Sequence, residues 1–223
     1  MAYRQTPAVE ARLQDNRTRI LDAARALVAE GGWSEAQVAN VAAAAGIATG
    51  TVYRYFPSKA ELFVEVLSAV SQREVDVLAE VAASGGPAPG RLHAAVATFV
   101  RRAMRNPRLA YALIAEPCDR EIDEARLTYR AAVSEVIRSI IEAGQSAAEL
   151  RRDVRPEVAA TIIVGGFMEG LIGPLSPLNH HPPEDGAAHA QAVAGLADQI
   201  AMLACASVAV PAPSIRPLQR RKP

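Results

Sequence analysis

Aromatic residues make up only 4% of this 223-residue chain, cysteine occurs just twice, and the formal net charge is zero. Each shortage excludes something. Cys118 and Cys205 lie far apart in sequence, so there is no disulfide framework of the kind that holds small secreted domains together, and a reducing cytoplasm is the expected setting. A balanced charge means that any affinity for nucleic acid must come from a local basic surface. Glycine and proline gather at a few places instead of recurring at the short intervals of an all-β sandwich. The first thirty residues lack the apolar stretch of a secretory signal. Half of the chain is hydrophobic, much of it alanine, the strongest helix former.

The apolar spacing is helical nearly throughout. Residues 1–15 are polar and irregular and are expected to form a flexible arm, with Arg4 and Arg12 available to a phosphate backbone. From Asn16 a stripe of Ile20, Leu21, Ala24, Leu27 and Val28 sets one helix face. Gly31 and Gly32 end that helix, because glycine tolerates the left-handed position beyond a helix terminus. Ser34 and Gln37 have capping-box spacing for a second helix, which Gly46 ends. A very short helix covers Thr49 to Phe56, and Ser58 with Glu61 starts a long one running to about Val81. Further helices are expected from Leu92, from Pro107, over Asp119 to Gly144, from Pro156 to Gly173, and over Ala187 to Val208. The fold class is all-α, with about nine helices and no strand. Val158 to Leu175 is almost wholly apolar, but Glu169 interrupts it and Pro174 and Pro177 close it. It falls short of the roughly 20 clean residues of a membrane span and reads as a helix buried on all sides.

Function concentrates in SEAQVANVAAAAGIATGTVYRYFPSK, residues 34–59. Two helices joined by a tight turn at Gly46 make a helix-turn-helix, whose second helix enters the major groove. At 100° per residue, Val52 and Phe56 share the inward side of that helix with Ala48 and Tyr55. Gly50 and Arg54 lie opposite, flanked by Thr51 and Tyr53. A glycine there lets backbone approach backbone, Arg54 can reach a guanine edge or a phosphate, and the hydroxyls suit phosphate oxygens. Lys59 places a cation in a first helical turn, against the dipole, which makes sense where a phosphate shares the site. A solvated lysine is the plain alternative.

The pattern from Ile20 to Phe63, with its Gly-Trp and AAAAGIATGTVYRYFPSKAEL, resembles the DNA-binding domain of the TetR/AcrR family of repressors. The resemblance implies that Tyr53 and Lys59 hold phosphates and that Thr49, Thr51 and Arg54 lie at or near bases. The expected DNA-binding set is Gln37, Thr49, Gly50, Thr51, Tyr53, Arg54, Tyr55 and Lys59. Two positions depart from the family pattern. Ala48 replaces a capping serine, at a cost of roughly 1 kcal/mol, unless the Thr49 hydroxyl shifts the helix start. Gln37 stands where a phosphate-contacting threonine is frequent.

The resemblance also implies a helical ligand-binding and dimerisation domain. The expected division is an arm over 1–15, the helix-turn-helix domain over 16–60, the ligand and dimer domain over 61–209, and a flexible tail over 210–223. Gly166 and Gly170 share one helix face, and Val193, Leu196, Ile200 and Leu203 form a narrow stripe. Those six residues are the expected homodimer interface. Phe99, Arg102, Tyr111, Tyr129 and Phe167 are the expected ligand site, for a small apolar or acyl-type molecule. Ordinary core packing competes with that role at each aromatic position. Glu116, Arg126 and Glu169 are further candidate anchors.

The partners expected are double-stranded operator DNA, a second copy of the chain and the apolar ligand, with no membrane and no cofactor. Ligand held between helices would displace the long fourth helix and lower DNA affinity. The alternative is a DNA-binding scaffold with a protein partner and no small-molecule effector. No enzyme signature is present: no phosphate loop, nucleophile elbow or HExxH. His180, His181, Asp185 and His189 suggest a metal only weakly, and no metal is expected.

Overall fold

The computed structural model describes residues 7–179 and 186–210. Among them are nine α-helices: α1 (Pro7–Gly31), α2 (Val38–Ala45), α3 (Thr49–Tyr55), α4 (Lys59–Ala83), α5 (Ala88–Ala103), α6 (Pro107–Ile114), α7 (Arg120–Ser146), α8 (Pro156–Leu175) and α9 (Gly186–Val208). The only extended pairing among the described residues is one isolated bridge between Leu150 and Ala209. The fold class is the all-α one read from the spacing.

Two hydrophobic cores organise the chain. The N-terminal core gathers Ile20, Ala24 and Val28 of α1, Val41 of α2, Val52 of α3, and Leu62, Phe63 and Leu67 of α4. Leu109 and Ala112 of α6 and Ile122 of α7 join it. The second core holds Leu92, Val96 and Phe99 of α5 with Ile137, Ile140, Ile141, Ile163 and Phe167 of α7 and α8. Its α4 members are Leu78 and Ala82. Helix α4 therefore spans both cores, its first half in one and its second half in the other. Any movement of α4 is felt at both ends.

Three expectations require correction. The irregular arm over 1–15 is helical from Pro7. That stretch is largely exposed and so lacks an apolar stripe, but proline suits a first helical turn and its alanine, glutamate, arginine and leucine are strong helix formers. The Ser34–Gln37 capping box does not form. Helix α2 begins at Val38, and Gln37 itself occupies the cap position without a side-chain cap. The Gln37 amide instead donates to the Ser34 carbonyl at 2.7 Å. Finally, α8 is not buried on all sides. It buries Ile163, Val164, Phe167 and Leu171 while leaving Val158 and Ile162 49% and 64% exposed. By length and composition, both α8 and α9 could cross a bilayer, yet each packs one face on the second core.

The other expected box is present. The Ser58 hydroxyl accepts from the Glu61 amide at 3.1 Å and donates to the Glu61 carboxylate at 3.4 Å. His180, His181 and Asp185, Arg4 and the tail from residue 211 lie outside the described residues.

Candidate nucleic-acid interface and ligand cavity

The α2–α3 turn is set by Gly46, which takes φ +67° just past α2. Its amide donates to Ala43 O, and the Ile47 amide donates to Ala42 O, the paired bonds that satisfy a helix terminus. Arg19 adds a guanidinium to the Ala45 carbonyl. Helix α3 then starts at Thr49 with Ala48 as an uncapped cap residue. The Thr49 hydroxyl does not shift the start.

Val52 and Phe56 anchor α3 in the N-terminal core, while Tyr53 and Arg54 are exposed together with Thr49, Gly50 and Gln37. Thr51 is half-buried. A side chain added at Gly50 would meet nothing within 4 Å, so neither packing nor backbone conformation demands glycine there. Lys59 is the first residue of α4, with Nζ 5.7 Å from the Phe63 ring centre. Tyr55 is turned the other way: it is half-buried, and its hydroxyl accepts from the Asn16 side chain at 3.2 Å. That bond ties α3 to α1.

A cavity of about 590 Å³ lies where α1 and the middle of α4 face α5, α6 and α7, within the ordinary range for small-molecule sites. Of the expected ligand residues, Phe99, Arg102 and Tyr129 line it. Tyr111 and Phe167 do not. Tyr111 lies under the Arg108 guanidinium at 6.0 Å, and Phe167 packs on Phe99 at 4.9 Å between ring centres. Arg102 is not free either. Its Nε and Nη2 donate to Glu74 of α4 at 2.5 and 2.8 Å, a bidentate pair of the strong kind. Glu74 holds the Arg102 guanidinium above its already high range, so it stays charged. Arg126 also lines the cavity and caps α6, donating to Leu113 O and Glu116 O at 3.0 and 2.8 Å.

A cluster not read from the sequence joins the helix-turn-helix to α6. Gly32 has φ +78°, and a side chain there would lie 1.5 Å from Arg108 Nη2. Arg108 donates to the Gly31 carbonyl at 2.7 Å and pairs with Glu116 at 2.7 Å. Glu116 in turn accepts from the Trp33 amide, and the Trp33 indole donates to Ala112 O at 2.9 Å. The Trp33 ring stands edge-on to Phe63 of α4, 5.6 Å away. The Gly-Trp pair was the visible signal; its partners lie some eighty residues downstream, beyond the reach of local spacing. Arg126 Nη2 also donates to Cys118 Sγ at 3.2 Å, yet desolvation outweighs it and pushes that thiol up. The thiolate needed for redox reactivity is disfavoured.

On the dimer face expected from the sequence, Gly166, Gly170 and Leu203 are exposed. Leu196 and Ile200 are half-buried and pack partly on the chain's own second core. Ile162 and Met202 are exposed large apolar residues on the same two helices.

An all-α protein with an N-terminal helix-turn-helix and a helical body enclosing a cavity is the class these features define. Among known proteins, the profile of the bacterial regulatory proteins of the tetR family matches residues 20–66. The HTH-type transcriptional repressor KstR of Mycolicibacterium smegmatis is 41% identical over 101 residues, 45% of this chain and 49% of that protein. The chain thus spans about half the length of the first curated relatives it matches. The repressor KstR2 of Rhodococcus jostii is 30% identical over 147 residues, 64% of this chain and 72% of that one. The chain belongs to the tetR family. Among solved structures, FadR of Bacillus subtilis, in complex with stearoyl-CoA, shares the fold with a TM-score of 0.71 at 18% identity, over 85% of this chain and 98% of that one.

Proposed function

We propose that this chain is a homodimeric, cytoplasmic transcriptional repressor that reads operator DNA with α3 and is released by a small apolar, acyl-type ligand. The observation that carries this reading is the position of the cavity. Its walls include α1 and α4, which share the N-terminal core with the α2–α3 helix-turn-helix, as well as α5, α6 and α7. A ligand that fits better when these walls move apart shifts the equilibrium toward a form with displaced recognition helices. The same feature favours a ligand-gated repressor over a scaffold with no effector. Phe99, Leu109, Val133 and Met168 give the cavity its apolar wall, which suits an acyl chain, as does the stearoyl-CoA complex of the FadR fold relative.

In this reading Gln37, Thr49, Gly50, Thr51, Tyr53, Arg54 and Lys59 form the DNA surface. Arg54 reads bases, while Tyr53 and Lys59 hold phosphates. The exposed apolar faces of α8 and α9 pair with their twofold mates, because two half-sites need recognition units at fixed spacing. Selection of duplexes from a random pool by the full chain tests the proposal. An enriched inverted repeat is expected; recovery of unselected sequence would refute specific operator binding.

A further inference from the structure

The cavity's charge pattern is not that of a purely apolar site. Its two lining carboxylates, Asp22 and Glu74, face a larger set of guanidinium groups. Three of these are paired with carboxylates: Arg17 with Glu65, Arg126 with Asp123 as well as the end of α6, and Arg102 with Glu74. Arg25 and Arg73 line the cavity with no carboxylate paired to them among the described residues. Arg130, on α7, spends Nη2 on Ile114 O at 3.1 Å, but its buried Nε has no hydrogen-bond partner. A buried donor left unsatisfied normally marks a group that another partner completes. Donors in excess, one of them unpaired, together with an apolar wall, define a site for an amphiphile with an anionic head.

The Arg102–Glu74 pair gives that head a consequence. It is the ionic link between α4, the helix that begins at Lys59, and α5. Both side chains line the cavity and keep 20% and 26% of their surface exposed. Removing Glu74 from Arg102 with nothing in its place would strand a charge, which is costly. Replacing it with another carboxylate or a phosphate would not, because the same donors remain satisfied. A neutral molecule of equal size offers no such exchange. Glu74, on α4, is exposed enough to turn to solvent once released.

We propose that Glu74 is a built-in stand-in for the effector's head group: a carboxylate or phosphate on an apolar tail takes its place on Arg102, with Arg130 Nε as a further donor, and so unlatches α4. This deepens the reading of the cavity as the effector site and rests on it.

The test is calorimetric titration of the full chain with decanoate, decyl phosphate and decan-1-ol, which share a tail and differ in head. At least one anion is expected to bind about tenfold or more tighter than the alcohol, the worth of one charged hydrogen bond. Glu74→Gln removes the competitor and is expected to tighten anion binding while leaving the alcohol unchanged. Arg102→Gln is expected to erase the preference. Hydrogen exchange gives a reading independent of DNA: the anion should speed exchange of the α4 amides around Glu74 in the native chain, and the alcohol should not. The higher affinity of decanoate or of decyl phosphate identifies the head. An alcohol that binds as tightly as both anions, or a preference that survives Arg102→Gln, overturns the exchange while leaving the effector cavity standing. No binding by any of the three overturns both.

Discussion

Two glycines of the N-terminal domain show how differently one residue type is used. Gly32 is held at φ +78°, and the Arg108 guanidinium occupies the space where a side chain would go. Gly32→Ala must adopt a strained backbone and displace a paired arginine. A loss of at least about 1 kcal/mol is expected in urea denaturation. Gly50 sits inside a helix with open space around it. Gly50→Ala should therefore gain about 0.5–1 kcal/mol from helix propensity, yet weaken DNA binding if α3 lies against a backbone. Stability and affinity moving in opposite directions at one position would mark Gly50 as functional. Both moving together would return it to an ordinary surface glycine.

Among the elements, α6 touches both the cavity and the N-terminal domain. One face of it, through Leu109, Ala110 and Leu113, borders the cavity. Arg108, Ala112 and the following Glu116 grip the end of α1 and Trp33. In the proposed mechanism, a ligand that shifts α6 moves the end of α1 and the start of the helix-turn-helix with it. Glu116→Gln leaves Arg108 without its carboxylate in a site where both side chains are mostly covered, at 21% and 15% exposure. After discounting for that residual exposure, about 1–3 kcal/mol of stability should be lost, read as a lowered melting temperature. This coupling was not legible in the sequence. Local signals were: Gly46, the Ser58–Glu61 box and the stripe of Ile20, Ala24 and Val28 each fixed an element correctly, because their partners are within one or two turns. Signals failed where the deciding partner is distant or absent. Gln37 matches a box by spacing but folds back on the Ser34 carbonyl. Tyr111 and Phe167 are aromatic residues of the right helices, yet only the packing of α5 to α8 decides which rings face the cavity. The start of α1 is largely exposed and so carries no stripe for the spacing to report.

Across the whole molecule, α8 and α9 carry apolar side chains that the described residues leave uncovered, with Ile162, Met202 and Leu203 more than half exposed. Such a surface on two adjacent helices is the kind that a partner covers. If the partner is a second copy, Ile162→Glu should dissociate the dimer in sedimentation velocity and leave the two internal cores intact. A native chain that sediments as a monomer at every concentration would remove the dimer from the account. The legible part of this surface was the position of the two helices. The orientation of the stripe was not, since Leu196 and Ile200 divide their contacts between the core and the outer face.

In the proposed function, the outer surface of α3 and the start of α4 meet DNA. This contact is tested most directly by titrating the selected duplex, and a scrambled one, against native chain, Arg54→Ala and Lys59→Ala over a range of salt concentrations. Arg54→Ala should lose about 1–3 kcal/mol on the selected duplex and narrow its advantage over the scrambled one. Lys59→Ala should weaken binding to both equally and reduce the salt slope by about one. Binding by both variants with native affinity and native salt slope would contradict the account.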